Sequence, residues 1–202
     1  MRMFLIILIL IFSLQSLTKA DDIRDLEIEG MSIGDSLLDY ENIIGFSIEE
    51  IKKMKFAYYP KSKKFVGLSI PDQGNYKVYE SVQFHIDPND YKIYSISGKI
   101  KKPFENNKAK CYNKMDLVFK ELNDSFSNLE IKKGKEKAHV ADNTGKSLSK
   151  VYNLKLENGS IRITCTDWSG DFKDSNGRIL KDNFKISIVS ELLSDWIKNE
   201  AY

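Results

Sequence analysis

Apolar residues recur along this chain with two periods, one helical and one alternating. The clearest helical stretch covers residues 107–126. There Cys111, Met115, Val118, Phe119, Leu122 and Phe126 fall on one stripe. Near the start, Leu37, Tyr40, Ile43 and Ile44 share a side, with Ser32 read as N-cap, Asp35 answering it and Gly45 ending the helix. Ser47-Ile-Glu-Glu50 spells a capping box, flanked by Phe46 and Ile51 as a hydrophobic staple, for a short helix reaching about Met54. A last helix, capped by Ser190, carries Leu192, Leu193, Trp196 and Ile197.

The alternating period fills the rest. Residues 64–70 read as a strand, and Pro71-Asp-Gln-Gly74 as a turn. Tyr76, Val78, Val82, Phe84 and Ile86 then alternate, with Glu80 the polar member of that face. After a turn at residues 87–90, Tyr94, Ile96, Gly98 and Ile100 alternate again. In the second part, Tyr152, Leu154 and Leu156 lead to Asn158-Gly159, a hairpin dipeptide, and Ile161, Ile163 and Cys165 lead back. Residues 132–150 and 171–182 read as loops, and Phe184, Ile186 and Ile188 as a further strand. Strands come in runs joined by tight turns, not alternating with helices. The predicted class is therefore α+β, an antiparallel sheet with packed helices. The similar element order of residues 21–103 and 104–202 suggests two tandem halves, each a helix plus three strands, though no residue-level repeat supports it.

The first twenty residues stand apart. A basic start at Arg2, an apolar run from Met3 to Phe12, and a polar stretch ending in small residues before Asp21 match a secretory signal peptide cleaved near Ala20. The run is too short to span a bilayer, which takes about 20 apolar residues. The reading is thus a signal peptide over 1–20 and a single exported domain over 21–202, periplasmic or secreted, with no stable membrane anchor.

Removal of this segment changes the charge. The whole chain has 31 basic and 29 acidic residues. Loss of Arg2 and Lys19 brings the two to equality, which leaves no global attraction for nucleic acid or anionic membrane. Export also bears on Cys111 and Cys165. In an oxidising compartment a disulfide is the default. It would close a loop of about 55 residues, worth about 4 kcal/mol in the chain-entropy model.

Catalytic motifs are sparse. Gly30-Met-Ser-Ile-Gly34 matches a nucleophile elbow but lacks the preceding central strand, and Ser32 has a simpler use as a cap. Gly145-Lys146-Ser147 lacks the earlier glycine of a phosphate loop, that position being Val140. His85 lies opposite Phe84 and Ile86 and reads as a solvated strand residue. His139 and Asp142 are close in sequence and could meet Asp167 or Asp171 in a metal or acid–base site; a hydrogen-bonded loop pair is the plainer alternative. Asp167-Trp168 stands where a strand gives way to a loop, a place for a contact surface.

Several segments resemble a family of small exported proteins of unknown function from AT-rich marine alphaproteobacteria. They are residues 28–40, Val82-Gln-Phe-His85, Tyr91 to Gly98, Cys111 with Lys114-Met-Asp116, Asp142 with Thr144-Gly-Lys-Ser147, and Cys165-Thr-Asp-Trp-Ser169. That resemblance implies export and no assigned activity. The element order, with Gly30-Met31-Ser32 leading a helix and a meander following, also resembles β-lactamase inhibitor proteins and the small lipoprotein of the outer-membrane assembly machinery, which are binding modules.

The expected function is a non-enzymatic binding or interaction module of the periplasm or cell envelope. It would engage a protein or envelope partner, with no cofactor and no nucleic acid. Candidate binding residues are His139, Asp142, Lys146, Asp167 and Trp168. The alternative is a hydrolase or metal-dependent enzyme built on His139, Asp142, Lys146 and Asp167.

Overall fold

A computed structural model describes residues 22–126, 129–174 and 177–202. The expected signal peptide lies outside these residues. Asp22 caps a 3-10 turn at Ile23–Asp25 by accepting from the Arg24 N–H. Strands β1 (Glu27–Ile28) and β2 (Met31–Ser32) follow as a tight hairpin. Its two turn residues, Glu29 and Gly30, have φ of 54° and 76°, the left-handed pair that the right-handed twist of a two-residue hairpin demands.

This hairpin overturns one expectation. Ser32 is a strand residue, and Ser36 takes the capping role by accepting from the Leu38 N–H. The 3-10 turn Leu37–Tyr40 then runs into α1 (Glu41–Ile44), closed by Gly45 at φ 73°. Both serines have an aspartate three residues on. The hairpin buries its cross-strand partners Ile28 and Met31, which places Ser32 in the strand. Helix α2 (Ile48–Lys53) keeps the predicted capping box, with both reciprocal bonds between Ser47 and Glu50 formed.

The main sheet has eight strands. They are β3 (Val66–Pro71), β4 (Ser81–Ile86), β5 (Ile93–Ile100), β6 (Glu130–Lys133), β7 (Lys137–Ala138), β8 (Leu148–Leu156), β9 (Gly159–Asp167) and β10 (Asn183–Ser190). The order is β3-β4-β5-β10-β9-β8-β6, with β7 beside β6 on β8, and every pairing is antiparallel. Two three-stranded meanders, β3–β5 and β8–β10, therefore meet along their last strands. Helix α3 (Lys108–Ser125) precedes the second meander and α4 (Glu191–Asn199) ends it. The α+β class and its antiparallel sheet are as the sequence predicts.

Two local expectations fail. Residues 76–80 do not extend β4, because their backbone donors go elsewhere. Both Glu29 carboxylate oxygens accept from the N–H groups of Lys77, Val78 and Tyr79 at 2.8–2.9 Å. Residues 132–138, within the stretch 132–150 read as loop, belong to edge strands β6 and β7 and the short link between them. All their side chains but Gly134 are exposed, so no alternation could betray them; their backbone simply completes the edge of β8.

Alternation divides the sheet cleanly. One face carries Val82, Phe84, Ile86, Ile96, Ile161, Ile163, Phe184, Ile186 and Ile188 into the main core, where Met115, Val118 and Leu122 of α3 meet them. Cys111 and Cys165 are joined as a disulfide, Cα atoms 6.0 Å apart, pinning α3 to β9. On the other face, α4 and the C-terminus cover only one end, through Phe65, Val189, Leu193, Trp196 and Ala201. Trp196 there donates to Ser62 Oγ at 3.0 Å.

The hairpin at Asn158-Gly159 forms, but its turn residues are Glu157 and Asn158, with Leu156 opposite Gly159. Gly159 serves close packing instead. A Cβ there would lie 2.3 Å from the Val189 carbonyl oxygen and 2.6 Å from Ile23 Cδ1. Gly159→Ala is therefore expected to destabilise the protein by about 1–3 kcal/mol, measured as a lowered urea midpoint; an unchanged midpoint would refute the packing role. Replacing both cysteines with alanine is expected to remove about 2–4 kcal/mol in the same assay. Thiol labelling of the denatured, unreduced protein is expected to find no free Cys111 or Cys165, and two reactive thiols would disprove the bridge.

Candidate functional site

The five candidate residues separate into two groups. Asp142 is 4% exposed and holds its own loop together. Its Oδ1 accepts from Thr144 N–H and O–H, at 2.9 and 2.6 Å, and its Oδ2 from Ser147 N–H and O–H, also at 2.9 and 2.6 Å. The Ser147 and Thr144 hydroxyl bonds hold this carboxyl well below the usual carboxylate range. Four donors on two oxygens leave little capacity for a substrate proton. Backbone bonds complete the loop: His139 N–H donates to the Ser147 carbonyl, and Asp142 N–H to the His139 carbonyl. Lys146 is exposed on the same loop.

His139 turns towards Trp168, ring centroids 4.3 Å apart, and Trp168 stacks on Phe172 at 4.8 Å and 13°. The His139 Nδ1 accepts from Ala141 N–H at 3.2 Å. Asp167 points the other way. It shares the helix face with Cys165 and meets Lys108, at the start of α3, at 3.5 Å. Lys108 also meets Glu136 at 3.2 Å. His139, Asp142 and Trp168 thus gather in one region, and Asp167 does not join them. Among the described residues, no group of three His, Cys, Asp or Glu side chains is placed to hold a metal ion.

The stronger concentration of unanswered charge lies on the sheet face opposite α3. Odd-numbered residues of β4 and β10, odd-numbered residues of β5 from Ser95 onward, and even-numbered residues of β9 point there. Lys99 of β5 stands directly opposite Lys185 of β10, in the middle of the sheet. One register step along, Ser97 faces Ser187, Ser187 faces Arg162 of β9, and Gln83 faces Ser97. Thr164 is the β9 neighbour of Lys185. No residue that β3, β4, β5, β8, β9 or β10 turns to this face is a carboxylate. The nearest sheet carboxylate, Glu130 on edge strand β6, pairs across from Lys155. Among the described residues, no ion pair involves Lys99, Lys185 or Arg162.

Like charges directly opposite one another on a sheet are unfavourable, and their partial burial adds a desolvation penalty. The consequences spread outward. Burial, then Lys101 and Lys185, push the Lys99 ammonium down to about 8, with Arg178 adding and Glu80 opposing. Burial and Arg162 depress Lys185. His85 is pushed down to about 4 by burial and by Lys185. It is not the solvated residue expected, since Tyr59 Oη lies 2.7 Å from its Nε2 and Ser95 Oγ 3.0 Å from its Nδ1. His139 is depressed by burial and Lys185, with Asp142 opposing. Lys185 is therefore the centre of a positive field felt by three other groups, and the His139–Trp168–Phe172 stack borders it. Beside Arg162, the buried Asn153 Oδ1 has no hydrogen-bond partner among the described residues.

Sequence reasoning missed Lys99, Lys185 and Arg162. Alternation alone places each opposite the core. Their meeting depends on the β5·β10 pairing, between segments far apart in the chain, which no local pattern reveals.

The sign of the Lys99 shift sets a pH dependence. Its folded value, about 8, lies below the ordinary lysine value of 10.5. Between these the unfolded chain binds more protons, so stability rises with pH. The urea midpoint is expected to increase from about pH 7.5 to about pH 9, where tyrosines are still mostly protonated. A flat or falling midpoint would contradict the burial of these lysines.

Comparison with protein-family models, curated proteins and solved structures finds no match to this chain.

Proposed function

We propose that the protein is a non-enzymatic binding module, exported to the periplasm or the cell exterior, that recognises a negatively charged protein or envelope component through the polar face of its sheet. The observation that carries this reading is the direct opposition of Lys99 and Lys185 in the two central strands, with no carboxylate among the strand residues of that face and Glu80, beside the start of β4, the one acidic group acting on Lys99. A fold has no structural use for such a pair, and an anionic partner would relieve it. The disulfide supports an oxidising compartment. No helix among the described residues is long and apolar enough to cross a membrane. The expected signal peptide over residues 1–20 belongs to the same reading.

Overall charge cannot supply the attraction, because the two signs balance once residues 1–20 are set aside. Its placement must. Arg162 is exposed in the open part of the face, whereas Lys132 is exposed on edge strand β6. Arg162→Glu and Lys132→Glu change net charge equally. On a phosphate-bearing cation-exchange matrix, Arg162→Glu is expected to elute at clearly lower salt than Lys132→Glu. Equal elution would remove the polar face as the recognition surface.

A further inference from the structure

Resting on that reading, we propose that Lys99 and Lys185 hold a single doubly charged oxyanion, a phosphate or phosphomonoester, between their ammonium groups. The register makes them immediate cross-strand neighbours, with Cα atoms about 4.5 to 5.5 Å apart. Two flexible stems rooted so close together can bring both ammonium groups onto one ligand atom cluster, each as a point charge with three donors. A dianion balances both charges at once; a single carboxylate would leave one uncompensated.

The surrounding groups are donors suited to a tetrahedral acceptor. Ser97 and Ser187 lie in the adjacent row and share one hydrogen bond of 2.8 Å between their hydroxyls. One bond uses one of their two protons, so the other remains to donate. The Thr164 hydroxyl stands on the far side of Lys185. Ser97, Ser187 and Thr164 are buried, at 7%, 4% and 9% exposure, so these donors are pre-placed by the sheet and lose little freedom on binding. Arg162 is diagonal to Lys185, with their backbones about 7 to 8 Å apart, near enough to draw an anion in. Burial and Lys185 lower the pKa of the flanking His139, with Asp142 opposing.

The shared chemistry is a terminal phosphate, which a soluble metabolite or a lipid headgroup could present. Inorganic phosphate, added at constant ionic strength against chloride, is expected to raise the midpoint of thermal unfolding by at least about 2 °C. Lys185→Met and Lys99→Met are expected to lose that shift, while Lys185→Arg and Lys132→Met keep it. Co-sedimentation with phosphatidic acid vesicles, and not with phosphatidylcholine vesicles, assigns a headgroup; a phosphate shift without sedimentation assigns a soluble ligand. Absence of a phosphate-specific shift, or a shift undiminished in both methionine variants, overturns the site. If Arg162→Glu still lowers retention on the anionic matrix in that event, the wider reading of the face survives and only the phosphate assignment fails.

Discussion

The antiparallel pairing of β5 with β10 is the constraint from which the rest of the molecule follows. It joins two meanders into one sheet, with six cross-strand pairs from Ser95–Val189 to Ile100–Phe184. On one face it stacks Ile96 against Ile188 and Ile100 against Phe184, which builds the middle of the core. On the other face the same register sets Ser97 against Ser187 and Lys99 against Lys185. A slip of β10 by one residue would bury Lys185 under α3 and expose Ile186 and Ile188. The apolar pattern therefore keeps both lysines on the face opposite α3, and the β5·β10 register sets them against one another.

The helix face is saturated. Helix α3 covers it with Cys111, Met115, Val118 and Leu122, and the Cys111–Cys165 bridge fastens the start of that helix to β9. The opposite face is covered by α4 at one end and bordered by the His139–Trp168–Phe172 stack near Lys185. Between them lies a strip of serines, Thr164 and three cations. Small buried hydroxyls beside unpaired ammonium groups are poor material for a second hydrophobic layer, and good material for holding an anion.

Much of the fold was legible because its signals are local. The Ser47–Glu50 capping box, the α3 stripe and the Ser190 cap each depend on residues within one or two helical turns. The Ser32 reading failed where two serine–aspartate caps compete four residues apart and the hairpin pairing of Ile28 with Met31 decides. Edge strands β6 and β7 were invisible because their side chains face water on both sides. Gly159 looked like a turn residue and is a packing residue, set by Val189 and Ile23 from elsewhere in the chain. The candidate site was half legible for the same reason. His139, Asp142 and Trp168 are near each other in the loops at one end, and Asp142 proves to be the staple of its own loop. Lys99 and Lys185 become a pair only through the non-local register of β5 and β10.

A lysine pair kept at the centre of a sheet, with neither lysine in an ion pair among the described residues, should weaken the unliganded fold. The most direct measurement is the urea-unfolding free energy of Lys185→Met against the native chain, in buffer free of phosphate and sulfate. Methionine keeps the apolar stem and removes the charge. A gain in stability, of about 1 kcal/mol for an opposed like-charge pair, is the expected result. A loss of stability would show that Lys185 is held by attractive partners and that the face carries no unanswered charge.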